Sequence, residues 1–262
     1  MIYNLKLNAR NIKKGIIIII ILALIWAALS YQIIQGVISP VKENVIYRVD
    51  TDKNLISLTF DVVWSDEYTK DLLKILERYR LKTTFFVTGK WIEKYPELTE
   101  EILKQGHEIG NHTYSHANLK SLSEEEIREE IERVDKLLLE KFDYKSEFFR
   151  PPFGEYDDKV VDVAQNMGYY TVLWSIETGD WLSPGVDKII DKVVKRAHRG
   201  GIILMHNCYP QGIKALPAVI HAMKLKRFTI TPVSELIKEV ENKEDNKNDE
   251  REIMGNNLEE SS

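Results

Sequence analysis

Residues 55–87 read LISLTFDVVWSDEYTKDLLKILERYRLKTTFFV. Leu55–Phe60 is a short apolar run rich in strand formers. Glu67–Arg80 follows with Leu72, Leu73, Ile75, Leu76 and Tyr79 at helical spacing, and Thr83–Val87 returns to a strand. A strand, a helix and a strand in so short a span make a β-α-β unit, which places the two strands side by side and parallel.

The same alternation continues down the chain. Pro96–Gln105 predicts a helix stopped by Gly106, and His107–Ile109 a short strand. Ser123 followed by Glu126 is a capping box that opens a long helix to about Lys141. A strand at Phe148–Phe149 precedes a helix over Asp157–Met167, closed by Gly168, and Tyr169–Ser175 is again strand-like. Val186–His198, Pro217–Lys224 and Val233–Val240 read as helices, and Gly201–Met205 and Phe228–Ile230 as strands. Repeated units of this kind predict an α/β domain with a mostly parallel sheet and outer helices, best fitted by a small (β/α) barrel. An open doubly wound sheet is the alternative. With no phosphate loop and no G-x-G-x-x-G after the first strand, its nucleotide-binding version is disfavoured and no nucleotide partner is expected.

The whole chain has 262 residues, 44% hydrophobic and 29% charged, which excludes a disordered chain, a collagen-like repeat and a polytopic membrane protein. A net charge of −5 argues against a nucleic-acid partner. Cys208 is the single cysteine, so no intramolecular disulfide or thiolate metal cluster can form.

The ends differ from the middle. Residues 1–14 hold Lys6, Arg10, Lys13 and Lys14 and no acid. Residues 15–37 are uncharged and contain the fully apolar run Ile16–Leu29, long enough with its flanks to span a bilayer. The preceding basic flank predicts a cytoplasmic N-terminus and an exported remainder, either as a single-pass anchored protein or, if the small residues at Ala28-Leu29-Ser30 mark cleavage, as a secreted one. Residues 38–53 read as a linker, 54–240 as the folded domain, and 241–262, with eight acids and three bases, as a disordered acidic tail.

In a parallel barrel the chemistry sits where strands end. Those positions carry Asp61, Asn111-His112-Thr113-Tyr114-Ser115-His116, Arg150-Pro151-Pro152-Phe153-Gly154, Glu177-Thr178-Gly179-Asp180-Trp181 and His206-Asn207. His112 and His116, four apart, would share one face of a helical turn and suit one metal ion. Two histidines and a carboxylate leave positions open, as a hydrolytic metal requires. Asp61 reads as a turn cap or as a general base. Arg150, before two prolines that fix the loop, can grip an ionised carboxylate. His206 reads as a metal ligand, a general acid or a capped structural histidine, with Asp180 placed to orient it and raise its pKa. Trp181 would shape a wall.

Taken together, Thr59-Phe60-Asp61, His112-Thr113-Tyr114-Ser115-His116, Arg150-Pro151-Pro152-Phe153-Gly154, Asp180-Trp181 and Leu204-Met205-His206 occur in the order of the five motifs of the polysaccharide deacetylases, the NodB-homology or carbohydrate esterase family 4 enzymes. The resemblance covers about Leu55 to Lys238. It implies a distorted (β/α) barrel of about seven strands and metal-dependent removal of N-acetyl groups from the N-acetylhexosamines of a cell-wall polysaccharide, peptidoglycan or chitin-like, with release of acetate. The cofactor it implies is one divalent cation, zinc first, with cobalt or manganese as alternatives. It implies that Asp61 is the catalytic base, that Arg150 braces it, and that His112 and His116 hold the metal. His206 would be the acid that protonates the leaving amine, tuned by Asp180. The Phe153 backbone N–H would face the developing oxyanion, and Trp181 and Leu204 would line the acetyl pocket.

One position departs from the pattern. Family members usually carry a second aspartate after the first as the third metal ligand, and here that residue is Val62. Asp66, on the same loop, is the candidate replacement ligand. This T-F-D-x-x-W-x-D form resembles a membrane-anchored, sporulation-associated subgroup. Val62 also motivates the rival expectation, a non-catalytic glycan-binding protein on the same barrel with a role in wall or spore formation. A metallopeptidase is disfavoured because His107-Glu108 begins an H-E-x-x-H string whose last position is Asn111.

Overall fold

The computed structural model describes residues 45–239. The predicted span at 15–37 and the acidic tail at 241–262 lie outside the described residues. Among the described residues no helix is long and apolar enough to cross a membrane.

Among the described residues nine strands form one sheet. They are β1 (Val45–Ile46), β2 (Leu55–Val62), β3 (Thr84–Val87), β4 (Glu108–Asn111), β5 (Phe148–Phe149), β6 (Tyr170–Val172), β7 (Ile176–Glu177), β8 (Gly201–His206) and β9 (Thr229–Thr231). The helices between them are α1 (Thr69–Tyr79), α2 (Gly89–Lys94), α3 (Pro96–Lys104), α4 (Glu124–Phe142), α5 (Asp158–Asn166), α6 (Val186–Arg196) and α7 (Pro210–Leu225), and residues 233–239 form α8. The strand order is β1-β6-β5-β4-β3-β2-β8-β7, with β9 on β2, and every strand pair is parallel. The outer strands β1 and β7 do not pair with each other, so the barrel is curled but open along one seam.

The alternation along β2 explains how the sheet directs chemistry inward. Ile56, Leu58, Phe60 and Val62 pack in the large cluster shared with the helices, among Leu72, Leu76, Trp91 and Leu216. Ser57, Thr59 and Asp61 point to the other face, as period-two geometry requires. There Ser57 Oγ donates to the Thr231 carbonyl at 2.9 Å and Thr59 Oγ1 to that of Ile203 at 2.7 Å. The lumen below is filled by a second cluster that includes Val49, Phe86, Phe148, Val172, Ile202 and Leu236. The barrel is therefore solid, and only its strand ends are open to a ligand.

The expected barrel is present with four differences. It has nine strands, not about seven. The residues expected as a linker contribute β1, which pairs with β6, and the buried Val49. The expected strand at Tyr169–Ser175 ends at Val172 and the chain resumes pairing only at β7, because the sheet changes edges there: β6 lies between β1 and β5, β7 on β8. The helix expected from Pro217 starts at Pro210 and accommodates Pro217 internally. The capping box is as expected: Ser123 Oγ accepts from Glu126 N at 3.3 Å, and the Glu126 carboxylate accepts from Ser123 N at 2.8 Å.

Gly110 in β4 marks a tight approach. A Cβ there would lie 2.4 Å from the Phe86 ring and 3.2 Å from the Phe148 carbonyl. Phe86 in turn supports the guanidinium of Arg150, whose Cζ lies 3.8 Å from the ring centroid. Gly110→Ala is expected to cost about 1–3 kcal/mol by overpacking, read as a lower denaturation midpoint with an unchanged slope. An unchanged midpoint would show that Phe86 can move freely.

Candidate active site

Four strand ends converge at the open mouth of the barrel. Asp61 ends β2, His112 follows β4, Arg150 follows β5 and His206 ends β8. Arg150 is completely buried. Its Nη1 donates to Asp61 Oδ1 at 2.7 Å and to Thr59 Oγ1 at 3.0 Å, while Nε and Nη2 donate to the carbonyls of Val172 and Leu173, each at 3.0 Å. Four of the five guanidinium N–H groups are thus engaged, and the group is fixed between β2 and the end of β6. Burial by itself, the largest influence, would raise the Asp61 carboxyl, but the positive charge of Arg150, the facing imidazoles and a hydrogen bond from Arg150 together outweigh it. The net effect holds Asp61 below the usual carboxylate range.

The two histidines of the H-x-x-x-H string are brought together, though not by a helix. Residues 112–116 form a tight loop with positive φ at Thr113 (63°) and His116 (61°), and the imidazole centroids lie 4.9 Å apart. This strained path is over-determined by hydrogen bonds. Asn111 Oδ1 accepts from Thr113 N at 3.0 Å, and Thr113 Oγ1 from His116 N at 3.1 Å. Glu130 of α4 accepts from Ser115 N and Oγ, both at 2.7 Å, and its carbonyl accepts from Tyr114 N at 2.9 Å. Asn111 is itself held by the Ile131 carbonyl at 2.9 Å and Asp135 at 3.1 Å.

His112 Nδ1 lies 2.7 Å from the Arg150 carbonyl, which can only accept, so Nδ1 carries the proton and Nε2 a lone pair. That lone pair lies 3.5 Å from Asp61 Oδ2. Burial lowers the pKa of His112 and takes His116 down to about 3, so both rings are neutral. A neutral imidazole lone pair facing a carboxylate oxygen is not an ion pair; it is an arrangement that asks for a cation or a proton between the two. His112 Nε2 and His116 Nδ1 are both buried without a hydrogen-bond partner. These two orphaned nitrogens fit a divalent cation held by two imidazoles.

The third protein ligand is not supplied. Val62 points to the helix side, fully buried in the large cluster. Asp66, expected as a substitute, is not brought to the histidines. Its carbonyl accepts from Thr69 N at 2.9 Å at the start of α1, and its carboxylate acts on Lys94, whose pKa is raised first by Tyr95 and then by Asp66. The neighbouring Ser65 carbonyl is pinned by Trp91 Nε1 at 3.3 Å and Asn207 Nδ2 at 2.6 Å, which fixes the loop in that direction. Among the described residues no group of three or more His, Cys, Asp or Glu side chains is arranged for a metal ion.

On the opposite wall, Asp180 is fully buried and accepts from His206 Nδ1 at 2.8 Å and from His206 N at 2.9 Å. Burial would lower the pKa of His206, yet the hydrogen bond and charge of Asp180 prevail and raise it. His206 is therefore pushed toward its protonated form, with Nδ1 held by Asp180 and Nε2 left free of that bond. Burial pushes the nearby Cys208 thiol up to about 11, which keeps it protonated and unreactive.

Between these walls lies a cavity of about 350 Å³ lined by Asp61, His116, Phe153, Trp181, Leu204 and His206, together with Trp64, Trp174 and Tyr209, which sequence reasoning did not single out. Phe153 adopts φ 62° in a short turn and its ring sits 4.5 Å from that of His116. Trp174 lies under Gly154, where a Cβ would meet it at 2.6 Å, and Tyr209 stands 5.4 Å from His206. Trp174 and Tyr209 lie close in sequence to motif residues, but neither carries a chemical group that would mark it.

The sequence model of the family described as polysaccharide deacetylase matches residues 48–172. A peptidoglycan-N-acetylglucosamine deacetylase of Bacillus cereus is 36% identical over 200 residues, covering 74% of this chain and 93% of that one. YlxY of Bacillus subtilis, a protein without an assigned activity, is 33% identical over 74% of this chain; the match spans 60% of its length. Among solved structures, BA3943 of Bacillus anthracis, described as a CE4 family pseudoenzyme, superposes with a TM-score of 0.72 at 32% identity, covering 74% of this chain and 69% of that one. The five motifs, the curled parallel barrel and these likenesses agree: the chain belongs to the polysaccharide deacetylase family of enzymes, carbohydrate esterase family 4.

Proposed function

We propose that this chain is a hydrolase that removes N-acetyl groups from N-acetylhexosamine residues of a cell-wall polysaccharide and releases acetate. The observation that carries this reading is the arrangement of Asp61, ionised and fixed by Arg150, across one cavity from the His206–Asp180 pair, whose carboxylate pushes the imidazole toward its protonated form. Base and acid stand on opposite walls with pKa values pushed apart by their surroundings, the pattern expected of an acid–base pair. The B. cereus relative named as a peptidoglycan-N-acetylglucosamine deacetylase supports the same reading.

In this mechanism Asp61 accepts a proton from water as its oxygen attacks the acetamide carbon. Arg150 holds the carboxylate in place throughout. The N–H of Phe153 stabilises the negative oxygen of the tetrahedral intermediate. His206 then delivers its Nε2 proton to the sugar nitrogen, the C–N bond breaks, and acetate and a free amine remain. Trp181 and Leu204 enclose the methyl group and exclude water. His112 and His116 would hold a divalent cation, zinc first among the candidates, which when bound supplies positive charge to polarise the carbonyl and acidify water. We further propose that the domain works outside the cytoplasm, anchored by or released from the apolar segment at 15–37, in the manner of the sporulation-associated subgroup.

A second reading, glycan binding without turnover, is favoured by Val62 and by the pseudoenzyme among the structural relatives. Acetate release separates the two. With added Zn²⁺, Co²⁺ or Mn²⁺, the protein is expected to release acetate from peptidoglycan or chitooligomers, and Asp61→Asn to abolish it. Activity no greater than that of Asp61→Asn on any glycan would leave the binding reading.

Metal binding has its own readout. In Zn²⁺ titrations His116→Ala should lose most of the affinity while Asp66→Ala leaves it unchanged; a loss in Asp66→Ala would return that residue to the site.

The His206–Asp180 pair also predicts a pH dependence. A histidine raised above its ordinary 6.5 contributes stability that is complete below that value and fades as pH rises through the folded-state pKa. Asp180→Asn should lower the His206 titration midpoint in NMR and remove that stability below pH 6.5. An unmoved midpoint would mean that Asp180 does not tune the ring.

A further inference from the structure

Trp64 is an oddity of the site. It follows the β2 end, its ring centroid lies 5.5 Å from that of His116, and 62% of it is exposed. On its far side lies a second cavity of about 150 Å³, lined by Lys90, Trp91, Lys94 and Ser115. The two cavities share Val63, Trp64 and His116 as a common wall. A linear polymer with one unit in the first would lay an adjacent unit over Trp64 toward the second, its apolar ring face covering the exposed indole.

The second cavity is cationic. Lys90 and Lys94 stand one helical turn apart on α2 and therefore share a face. The Lys90 amine has no acidic partner among the described residues. Of the nearby acids, Glu93 is engaged by the Tyr114 hydroxyl at 2.8 Å and Glu130 by Ser115. Asp66 acts on Lys94. One cation is thus left unbalanced beside a site that, on the deacetylase reading, binds a glycan.

We propose that the Lys90–Lys94 cavity is a subsite for a sugar bearing a carboxylate, next in the chain to the sugar that is deacetylated. This inference rests on the deacetylase reading and narrows its substrate to an acidic glycan. The carboxylate has two sources in peptidoglycan: the lactyl ether on the sugar itself, or the stem peptide attached through it.

The test uses the full chain loaded with Zn²⁺ and three substrates: neutral chitohexaose, peptidoglycan strands stripped of peptides, and strands with stem peptides retained. Lys90→Ala/Lys94→Ala should raise KM about threefold to tenfold on a carboxylate-bearing strand with kcat held. The KM ratio of that strand to chitohexaose should rise equally, and Lys90→Arg/Lys94→Arg should restore it. The effect should shrink as salt is raised. A rise confined to peptide-bearing strands identifies the peptide carboxylate, and a rise on stripped strands the lactyl group. Equal KM increases on chitohexaose, or none on either strand, would overturn the proposal. If no glycan yields acetate, it is the deacetylase reading that fails. Calorimetric affinities for stripped strands, peptide-bearing strands and chitohexaose then decide the subsite: a loss in the double variant confined to a carboxylate-bearing strand supports it, and unchanged or equally reduced affinities overturn it.

Discussion

The buried Arg150–Asp61 pair is the interaction on which the site depends. A carboxylate at the end of a lumen-facing strand would be protonated or expelled without a compensating charge, and removing one member of such a pair typically costs about 3–5 kcal/mol. Arg150 meets that demand while donating to the Thr59 hydroxyl and to the carbonyls of Val172 and Leu173. Its own carbonyl then fixes the tautomer of His112. One side chain and its backbone therefore set the charge of the base, the direction of an imidazole lone pair and the spacing of three strands.

Much of this was legible in the sequence because it follows local rules. The period-two pattern of β2 predicts that Asp61 shares a face with Thr59 and Ser57, and the same alternation turns Val62 away toward the helices. The Ser123–Glu126 capping box and the order of strand-end polar residues are likewise visible without coordinates. What stayed hidden depends on distant contacts. Nothing local to residues 112–116 reports that the loop abandons helical geometry, since its shape is dictated by Glu130 on α4 and by Asn111. The two-residue strands β1 and β7 are too short to carry a pattern of their own. Asp66 lay near enough in sequence to seem available, yet the bonds made by Ser65 turn that loop toward α2.

The two sides of the cavity divide the chemical labour by environment. Near the histidines, burial dominates and keeps imidazoles neutral with lone pairs outward. Across the cavity, the buried Asp180 carboxylate, helped by Asp61, reverses that tendency and raises the pKa of His206. The same residue type thus offers neutral lone pairs on one wall and a ring pushed toward its protonated form on the other, with no difference in covalent structure.

The central position of β2 has a consequence for how the molecule comes into being. Its inward hydroxyls are satisfied by carbonyls 144 and 174 residues further along the chain, and Asp61 meets its counter-charge 89 residues later. A chain emerging N-terminus first carries this strand from the outset but cannot complete its surroundings until almost the last element has arrived. The ionised state of Asp61 is thereby tied to full synthesis: an abbreviated polypeptide retains the motif of β2 while lacking the partners that hold its carboxylate.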